Sequence, residues 1–150
     1  MTLRFCSLGS GSEGNALIVQ SGGSTVMLDL GFGIAETERR LQRAGLEASS
    51  LSALIVTHEH SDHLGGVARF ARKHRLPVWL TRGTARHVDP AILPASQMHE
   101  VDPGAAFAVG GVEVTPFLVP HDAAEPVQFV FSDGRARLGV LTDTGCITAH

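Results

Sequence analysis

Four side chains that commonly bind metal ions lie within six residues of one another, in the segment His58-Glu59-His60-Ser61-Asp62-His63. Neutral imidazole and carboxylate groups are both ordinary ligands for Zn²⁺ and similar divalent ions. A single histidine usually has a structural or solvated role, and the alternative here is a polar loop that happens to be rich in histidine. Nothing about a solvated turn requires this residue set, so the His-x-His-x-Asp-His spacing favours a metal site.

The element that must position these ligands is a buried strand. The apolar run 53–56 directly precedes Thr57 and the histidines. Side chains alternate along a strand, so an extended chain would send His58 and His60 to one face and Glu59 to the other, whereas a helix would scatter them. We therefore predict a strand that ends at Thr57, followed by a short loop that wraps the ligands around a cation.

Two further predicted strands end in candidate ligands. One hairpin, 106–109 with 112–119, leads into Pro120-His121-Asp122, and a second, 126–132 with 135–142, leads into Asp143. Gly110-Gly111 and Asp133-Gly134 are typical turn sequences of such hairpins. His121 or Asp143 alone would be weak evidence for a site.

The remaining segments predict a β-meander followed by βαβ-like alternation. Strands are expected at residues 3–8, 16–20, 25–29 and 77–80, and helices at 34–44, 64–75 and 84–88. The second helix ends in five basic side chains, which we interpret as an exposed last turn that suits the helix dipole rather than as a DNA contact. They are Arg69, Arg72, Lys73, His74 and Arg75.

Composition places few further constraints on function. The 150 residues are 43% hydrophobic and 18% charged, which is typical of one soluble globular domain. The net charge of −3 gives no overall attraction to nucleic acid, so DNA binding would need a local patch or metal ions. Cys6 and Cys146 are interpreted as idle thiols, and no signal peptide or membrane-spanning run is evident, which favours a cytoplasmic location.

The loop at residues 9–15 is rich in glycine and could expose backbone N–H groups to a phosphate. No helix is expected to follow it and it contains no lysine, so its spacing alone favours a plain turn.

The His-x-His-x-Asp-His segment resembles the signature of the metallo-β-lactamase-fold hydrolases. A flavin-diiron branch of that family has Glu at the position of His60, so this residue favours a hydrolytic site. The Gly-Ser-Gly-Ser-Glu-Gly-Asn loop and the run from His121 to Pro126 are similar to the YycJ/WalJ-like group, whose members are nucleases. The resemblance implies an α/β (α+β) fold, a metallo-β-lactamase-type αββα sandwich. Residues 1–150 would form one domain that supplies roughly its N-terminal half.

The resemblance also implies roles for individual residues. His58, His60 and His121 would bind one metal ion, and Asp62 and His63 the second. Asp143 would bridge both ions.

Further residues take supporting roles by the same resemblance. Asp62 is in addition the candidate catalytic residue, because it can orient the nucleophile. Asp29, at the end of a strand, would hold a ligating histidine from behind. Ser10, Ser12 and Asn15 form a candidate substrate loop. In the family a further histidine from the second half of the fold completes the second ion, and His150 follows Asp143 too closely to be that ligand.

The function expected from this resemblance is that of a metal-dependent hydrolase. Two divalent ions, Zn²⁺ or Mn²⁺ with Fe²⁺ also compatible, would activate a water that attacks a phosphodiester. The expected substrate is DNA, cleaved by a 5′-directed exonuclease. One alternative is a small-molecule hydrolase acting on a thioester, lactone or cyclic phosphodiester, and another is a non-catalytic metal-binding module. A sheet face left uncovered by the half-fold would also favour a homo-oligomer.

Overall fold

Two β-sheets form the frame of the computed structural model, which describes residues 2–145. The first sheet has six strands that lie side by side in chain order. They are β1 (Arg4–Gly9), β2 (Ala16–Ser21), β3 (Ser24–Leu28), β4 (Ala53–Ile55), β5 (Val78–Leu80) and β6 (Met98–Glu100). β1 to β3 form an antiparallel meander, and β3 to β6 are parallel to one another.

The second sheet consists of two consecutive antiparallel hairpins. Its strands are β7 (Phe107–Val109), β8 (Val112–Leu118), β9 (Val127–Ser132) and β10 (Arg137–Val140), in the spatial order β10-β9-β8-β7. The helices are α1 (Ile34–Arg43), α2 (Ser61–Leu64), α3 (Val67–His74) and α4 (Arg82–Ala85), with 3₁₀ turns at Ala48–Ser50 and Ala95–Gln97.

Alternate side chains of the first sheet belong to two different hydrophobic cores, as the period of two in a strand requires. Met27 and Leu54 pack with the helix residues Leu41 and Phe70. The neighbouring strand positions face the second sheet instead: Val26, Ile55, Val114, Phe129 and Phe131 share one buried cluster. Helices, first sheet and second sheet therefore form three stacked layers. The predicted α/β fold class is confirmed.

The prediction of a single helix over residues 64–75 was wrong about where the helix begins. A separate helical turn, α2, comes first, so Asp62 and His63 lie on a helix rather than on the predicted loop. The helix is interrupted because the backbone N–H of Gly66 donates to the carbonyl of Leu30 at 2.8 Å. A Cβ at position 66 would also overlap the carbonyl oxygen of Phe32. α3 begins only after this contact.

Two other elements differ from the sequence-based expectations. α4 covers residues 82–85 rather than 84–88, because Thr81 caps it by accepting a hydrogen bond from the N–H of Thr84 at 3.3 Å. β6 was not predicted, since its three residues are not buried and it forms by pairing with β5. Cys146 and His150 lie outside the described residues. Within residues 2–145 no helix has the length and apolar character needed to cross a membrane.

Candidate metal centre

The candidate ligands meet where strands of both sheets end. Asp29 directly follows β3, and His58 lies three residues beyond the end of β4. His121 and Asp143 each lie three residues beyond the ends of β8 and β10. Side chains from the carboxyl ends of neighbouring strands converge, which is where α/β sheets commonly place their sites.

The first group consists of three histidines. The donor atoms of His58, His60 and His121 all lie within 4.8 Å of one another. The Nε2 atoms of His58 and His121 are 3.2 Å apart. Two nitrogens bound to one tetrahedral zinc at ordinary bond lengths would be separated by about 3.3 Å. The spacing of this pair therefore fits a shared divalent ion.

The second group adds a carboxylate. His58, His63 and Asp143 also have donor atoms within 4.8 Å of one another. Asp143 Oδ2 lies 2.7 Å from His63 Nε2 and 3.7 Å from His58 Nε2, and His58 is the histidine that the two groups share. Asp62 Oδ2 is 3.4 Å from His63 Nε2, on the edge of the same cluster.

Asp29 is in hydrogen-bond contact with His63. The Asp29 carboxylate is buried and accepts hydrogen bonds from the N–H of Thr57 at 2.7 Å and from its hydroxyl at 2.8 Å. His63 Nδ1 lies 2.6 Å from Asp29 Oδ2, which favours the proton on Nδ1 and leaves the Nε2 lone pair facing the cluster. Burial raises the pKa of Asp29, against the opposing hydrogen bonds of His63 and Thr57.

Burial and nearby charges shift the pKa values of His58 and His63 in opposite directions. Burial works to lower the pKa of His63, but the carboxylates of Asp29, Asp62 and Asp143 outweigh it and raise the pKa overall. Burial, followed by repulsion from the neighbouring histidines, lowers the pKa of His58 to about 4. His58 is therefore neutral at physiological pH, which is the form of imidazole that binds metal.

Thr57 is a site residue to which the sequence analysis gave no role. Its hydroxyl donates to Asp29 and lies 2.8 Å from His58 Nδ1. The hydroxyl has one hydrogen, so it must accept from His58 Nδ1–H, and the Nε2 of His58 is left free toward His121. The only signal in the sequence that could have indicated this role of Thr57 is the position of a short polar side chain directly before His58.

The candidate substrate loop lies next to the cluster, but its three residues differ in what they contact. Asn15 Nδ2 donates to the carbonyl oxygen and Oδ2 of Asp62, both at 3.2 Å, and lies 3.3 Å from His63 Nε2. The Asn15 amide therefore holds residues 58–63, which carry four of the candidate ligands and which we call the ligand segment. Ser10 and Ser12 are exposed and line a cleft of about 450 Å³ together with Asp62 and Asp143.

Two relatives named as nucleases match almost the whole chain. It is 37% identical over 150 residues to exodeoxyribonuclease YycJ of Bacillus anthracis, covering 99% of this chain and 57% of that protein. It is 28% identical over 149 residues to exodeoxyribonuclease WalJ of Streptococcus pneumoniae serotype 2, covering 97% and 55%. The chain thus spans about half the length of these curated relatives.

The fold and the family are shown by two further comparisons. The metallo-beta-lactamase fold protein YhfI from Bacillus subtilis superposes with a TM-score of 0.71 over 91% of this chain and 61% of that chain. The two sequences are 16% identical, so the likeness concerns the fold alone. A family model described as beta-lactamase superfamily domain matches residues 24–150. The chain therefore belongs to the beta-lactamase superfamily and has the metallo-β-lactamase fold, as its His-x-His-x-Asp-His segment predicted.

Proposed function

We propose that this chain carries the metal centre of a metal-dependent hydrolase, a phosphodiesterase or nuclease that acts on DNA. The observation that carries the proposal is the convergence of His58 and His121, whose Nε2 atoms lie 3.2 Å apart although the residues are 63 positions apart in sequence. Asp143 reaches the same place from a third segment, 2.7 Å from His63. The names of the two similar exodeoxyribonucleases support DNA as the substrate.

We assign the metal ligands as two overlapping sets. His58, His60 and His121 would hold one divalent ion, and Asp62 and His63 would hold the second. Asp143 would bridge the two. Imidazole and carboxylate donors suit Zn²⁺, Mn²⁺ and Fe²⁺ alike. Bound divalent ions supply an activated water and stabilise negative charge on phosphate oxygens.

The residues around the cluster would bind and orient the substrate. The cleft beside the cluster brings the Asp62 carboxylate close to Ser10 and Ser12, whose exposed hydroxyls can donate hydrogen bonds to phosphate oxygens. Asp62 is held by Asn15 and is the candidate for orienting the nucleophilic water. Since the net charge is −3, we expect DNA to be bound at this cleft and by the metal ions rather than by a general basic surface.

The test combines metal analysis with a cleavage assay. The purified protein should contain close to two transition-metal ions per chain, and it should degrade duplex DNA when Mn²⁺ or Zn²⁺ is added. Asp62→Asn should abolish cleavage, while Glu113→Gln, an exposed change at the start of β8, should not. A protein that binds no transition metal, or an Asp62→Asn variant as active as the parent, would contradict the proposal.

A small-molecule hydrolase is the second candidate. The cleft of about 450 Å³ falls in the size range of small-molecule sites, roughly 300–1,000 Å³. Its substrates would be thioesters, lactones or cyclic phosphodiesters. Hydrolysis of such compounds with no action on DNA would favour this candidate over the nuclease.

We propose a cytoplasmic protein that can form a homo-oligomer. Cell fractionation tests the first part, and light scattering on the purified protein tests the second.

A further inference from the structure

The position of His121 depends on a long irregular segment between two strands. It lies on residues 119–126, which connect β8 to β9 and which we call the His121 connection. Within it the N–H of Ala123 donates to the carbonyl of His121 at 2.9 Å, a local turn that does not fix the segment to the rest of the molecule. Other contacts must therefore set where His121 lies relative to His58 and His60.

One side of the His121 connection is attached to α4. Glu125 Oε1 accepts a hydrogen bond from the N–H of Gly83 at 3.0 Å, and the Glu125 carbonyl accepts from the hydroxyl of Thr81 at 3.0 Å. A Cβ at position 83 would lie 2.6 Å from the Glu125 Cβ, so the two segments are in close contact.

The other side is attached to the ligand segment itself by Glu59. Glu59 Oε1 accepts a hydrogen bond from the N–H of Ala124 at 2.7 Å. The Glu59 side chain is 12% exposed, and His87 Nε2 lies 3.9 Å from Oε1, too far for a hydrogen bond. Among the described residues Glu59 Oε2 has no hydrogen-bond partner. The bond from Ala124 is therefore the one hydrogen bond that the Glu59 carboxylate accepts within residues 2–145, and losing it would leave the buried carboxylate without a partner.

We propose that Glu59 is a positioning residue that fixes the His121 connection and so presets the three-histidine ligand set before metal binds. The inference rests on the metal centre proposed above. His58 and His60 flank Glu59, so a single segment supplies two ligands and also a hydrogen bond that holds the third. Without Glu59 the His121 connection would keep its contacts to α4 and the hydrogen bond that the Pro120 carbonyl accepts from Gly145, but it would lose its attachment to the segment of His58 and His60. Metal binding would then have to order His121 relative to the other two histidines, and the conformational entropy lost would reduce the affinity.

Four variants test this role by metal affinity rather than by cleavage. Glu59→Ala removes the acceptor, and Glu59→Asp keeps the charge but is one methylene too short to reach Ala124. Glu59→Gln keeps the oxygen and removes the charge. Glu113→Ala deletes an exposed charge at the far end of β8 and serves as the control.

Zn²⁺ affinity by chelator competition, the visible spectrum of the Co²⁺-loaded protein and hydrogen exchange of the His121 connection are the three readouts. We expect Glu59→Ala and Glu59→Asp to lose about 10- to 100-fold in affinity for the first ion. Their Co²⁺ spectra should change and their exchange at residues 119–126 should accelerate. Glu59→Gln and Glu113→Ala should stay close to the parent protein in all three.

Three outcomes separate failure of this inference from failure of the metal centre. Unchanged affinity and exchange in Glu59→Asp would overturn the positioning role, whether or not Glu59→Ala folds. Equal losses in Glu59→Gln and Glu59→Asp would also overturn it, because Glu59→Gln keeps the oxygen that accepts from Ala124 and should lose little affinity if this hydrogen bond is what matters. If His121→Ala, measured in parallel, binds Zn²⁺ as tightly as the parent, the metal centre itself is refuted.

Discussion

At the scale of single residues, Thr57 controls which nitrogen of His58 is available. Its hydroxyl links the Asp29 carboxylate to His58 Nδ1 through contacts of 2.8 Å each. Asp29 in turn lies 2.6 Å from His63 Nδ1. A buried chain of hydrogen bonds thus joins two candidate ligands and aims both Nε2 atoms at the cluster.

Thr57→Val tests this chain of hydrogen bonds, because valine keeps the shape of threonine and removes the hydroxyl. A donor on His58 and an acceptor on Asp29 would lose their partner, so we expect the free energy of unfolding to fall by about 1–3 kcal/mol. Metal affinity should fall by roughly tenfold or more. Urea unfolding and a Zn²⁺ titration measure the two effects.

Thr115→Val is the matched control, since Thr115 is exposed on β8. It should change neither the free energy of unfolding nor the metal affinity appreciably. Equal stability and affinity in the Thr57 and Thr115 variants would show that the hydroxyl of Thr57 does not orient His58.

The candidate ligands and Asp29 behind them could be predicted from the sequence, but the contacts that Asn15 and Glu59 make could not. His58, His60, Asp62 and His63 are adjacent in the chain, so their spacing carries the information. Asn15 contacts Asp62 across 47 positions, and Glu59 contacts Ala124 across 65. Such pairs depend on how the sheets and loops pack, which no local pattern encodes.

At the scale of elements, strand alternation and turn sequences predicted the meander and both hairpins to within about two residues. Alternation identifies a half-buried strand because one face packs and the other does not. β6 has no such pattern, since it is a parallel strand of three residues whose existence depends on β5. The break between α2 and α3 likewise depends on a long-range hydrogen bond to Leu30.

Gly31 allows three segments to meet behind the candidate ligands. A Cβ there would overlap the carbonyl oxygen of Asp62 and lie 2.8 Å from the Cα of Gly14. Gly31→Ala must therefore push α2 away from the end of β3. We expect a loss of about 1–3 kcal/mol in the free energy of unfolding, together with weaker metal binding.

Gly139→Ala provides the comparison for Gly31→Ala. Gly139 lies on β10, and nothing lies within 4 Å of a Cβ built there. Thermal unfolding and a Zn²⁺ titration of both variants check the difference. If Gly31→Ala is as stable as Gly139→Ala, the close packing of Gly31 against Asp62 and Gly14 is refuted.

α1 and α3 are linked by an ion-pair cluster whose contribution should depend on pH. Glu38 on α1 accepts hydrogen bonds from Lys73 at 2.6 Å, and His74 Nε2 lies 2.9 Å from the same oxygen. The hydrogen bonds from Lys73 and His74 lower the pKa of Glu38. A carboxyl group whose pKa is lower when folded stabilises the protein above its unfolded-state pKa, and this stabilisation is lost as the pH falls through the folded-state pKa.

Glu38→Gln should therefore be less stable than the parent at pH 7, and the difference should vanish in acid, below the ordinary carboxylate pKa of about 4. Urea unfolding of both proteins at several pH values measures the difference. The exposed change Glu113→Gln should show no such pH dependence. A constant difference for Glu38→Gln at all pH values would mean that packing, and not ionisation, is responsible.

At the scale of the whole molecule, the site depends on both sheets at once. His58 and His63 follow the first sheet, whereas His121 and Asp143 follow strands of the second. The relative position of the ligands is therefore set by the apolar cluster between the sheets, in which Val26 and Ile55 pack with Val114, Phe129 and Phe131. A substitution that loosens this apolar cluster should therefore weaken metal binding even though it changes no candidate ligand.

A bound ion would join both sheets at this place, so metal removal should lower the thermal unfolding temperature. A ligand that binds only the folded state, present at 100 times its dissociation constant, stabilises a protein by about 2.7 kcal/mol. For a chain of this size that corresponds to roughly 5–10 °C. Treatment with a chelator should lower the midpoint by that amount, and added Zn²⁺ should restore it. His121→Ala should reduce the shift because the first ion would lose one of its three histidines, whereas His99→Ala, a change at an exposed histidine on β6, should retain it. A His121→Ala protein that keeps the full shift would show that the stabilising ion binds without His121.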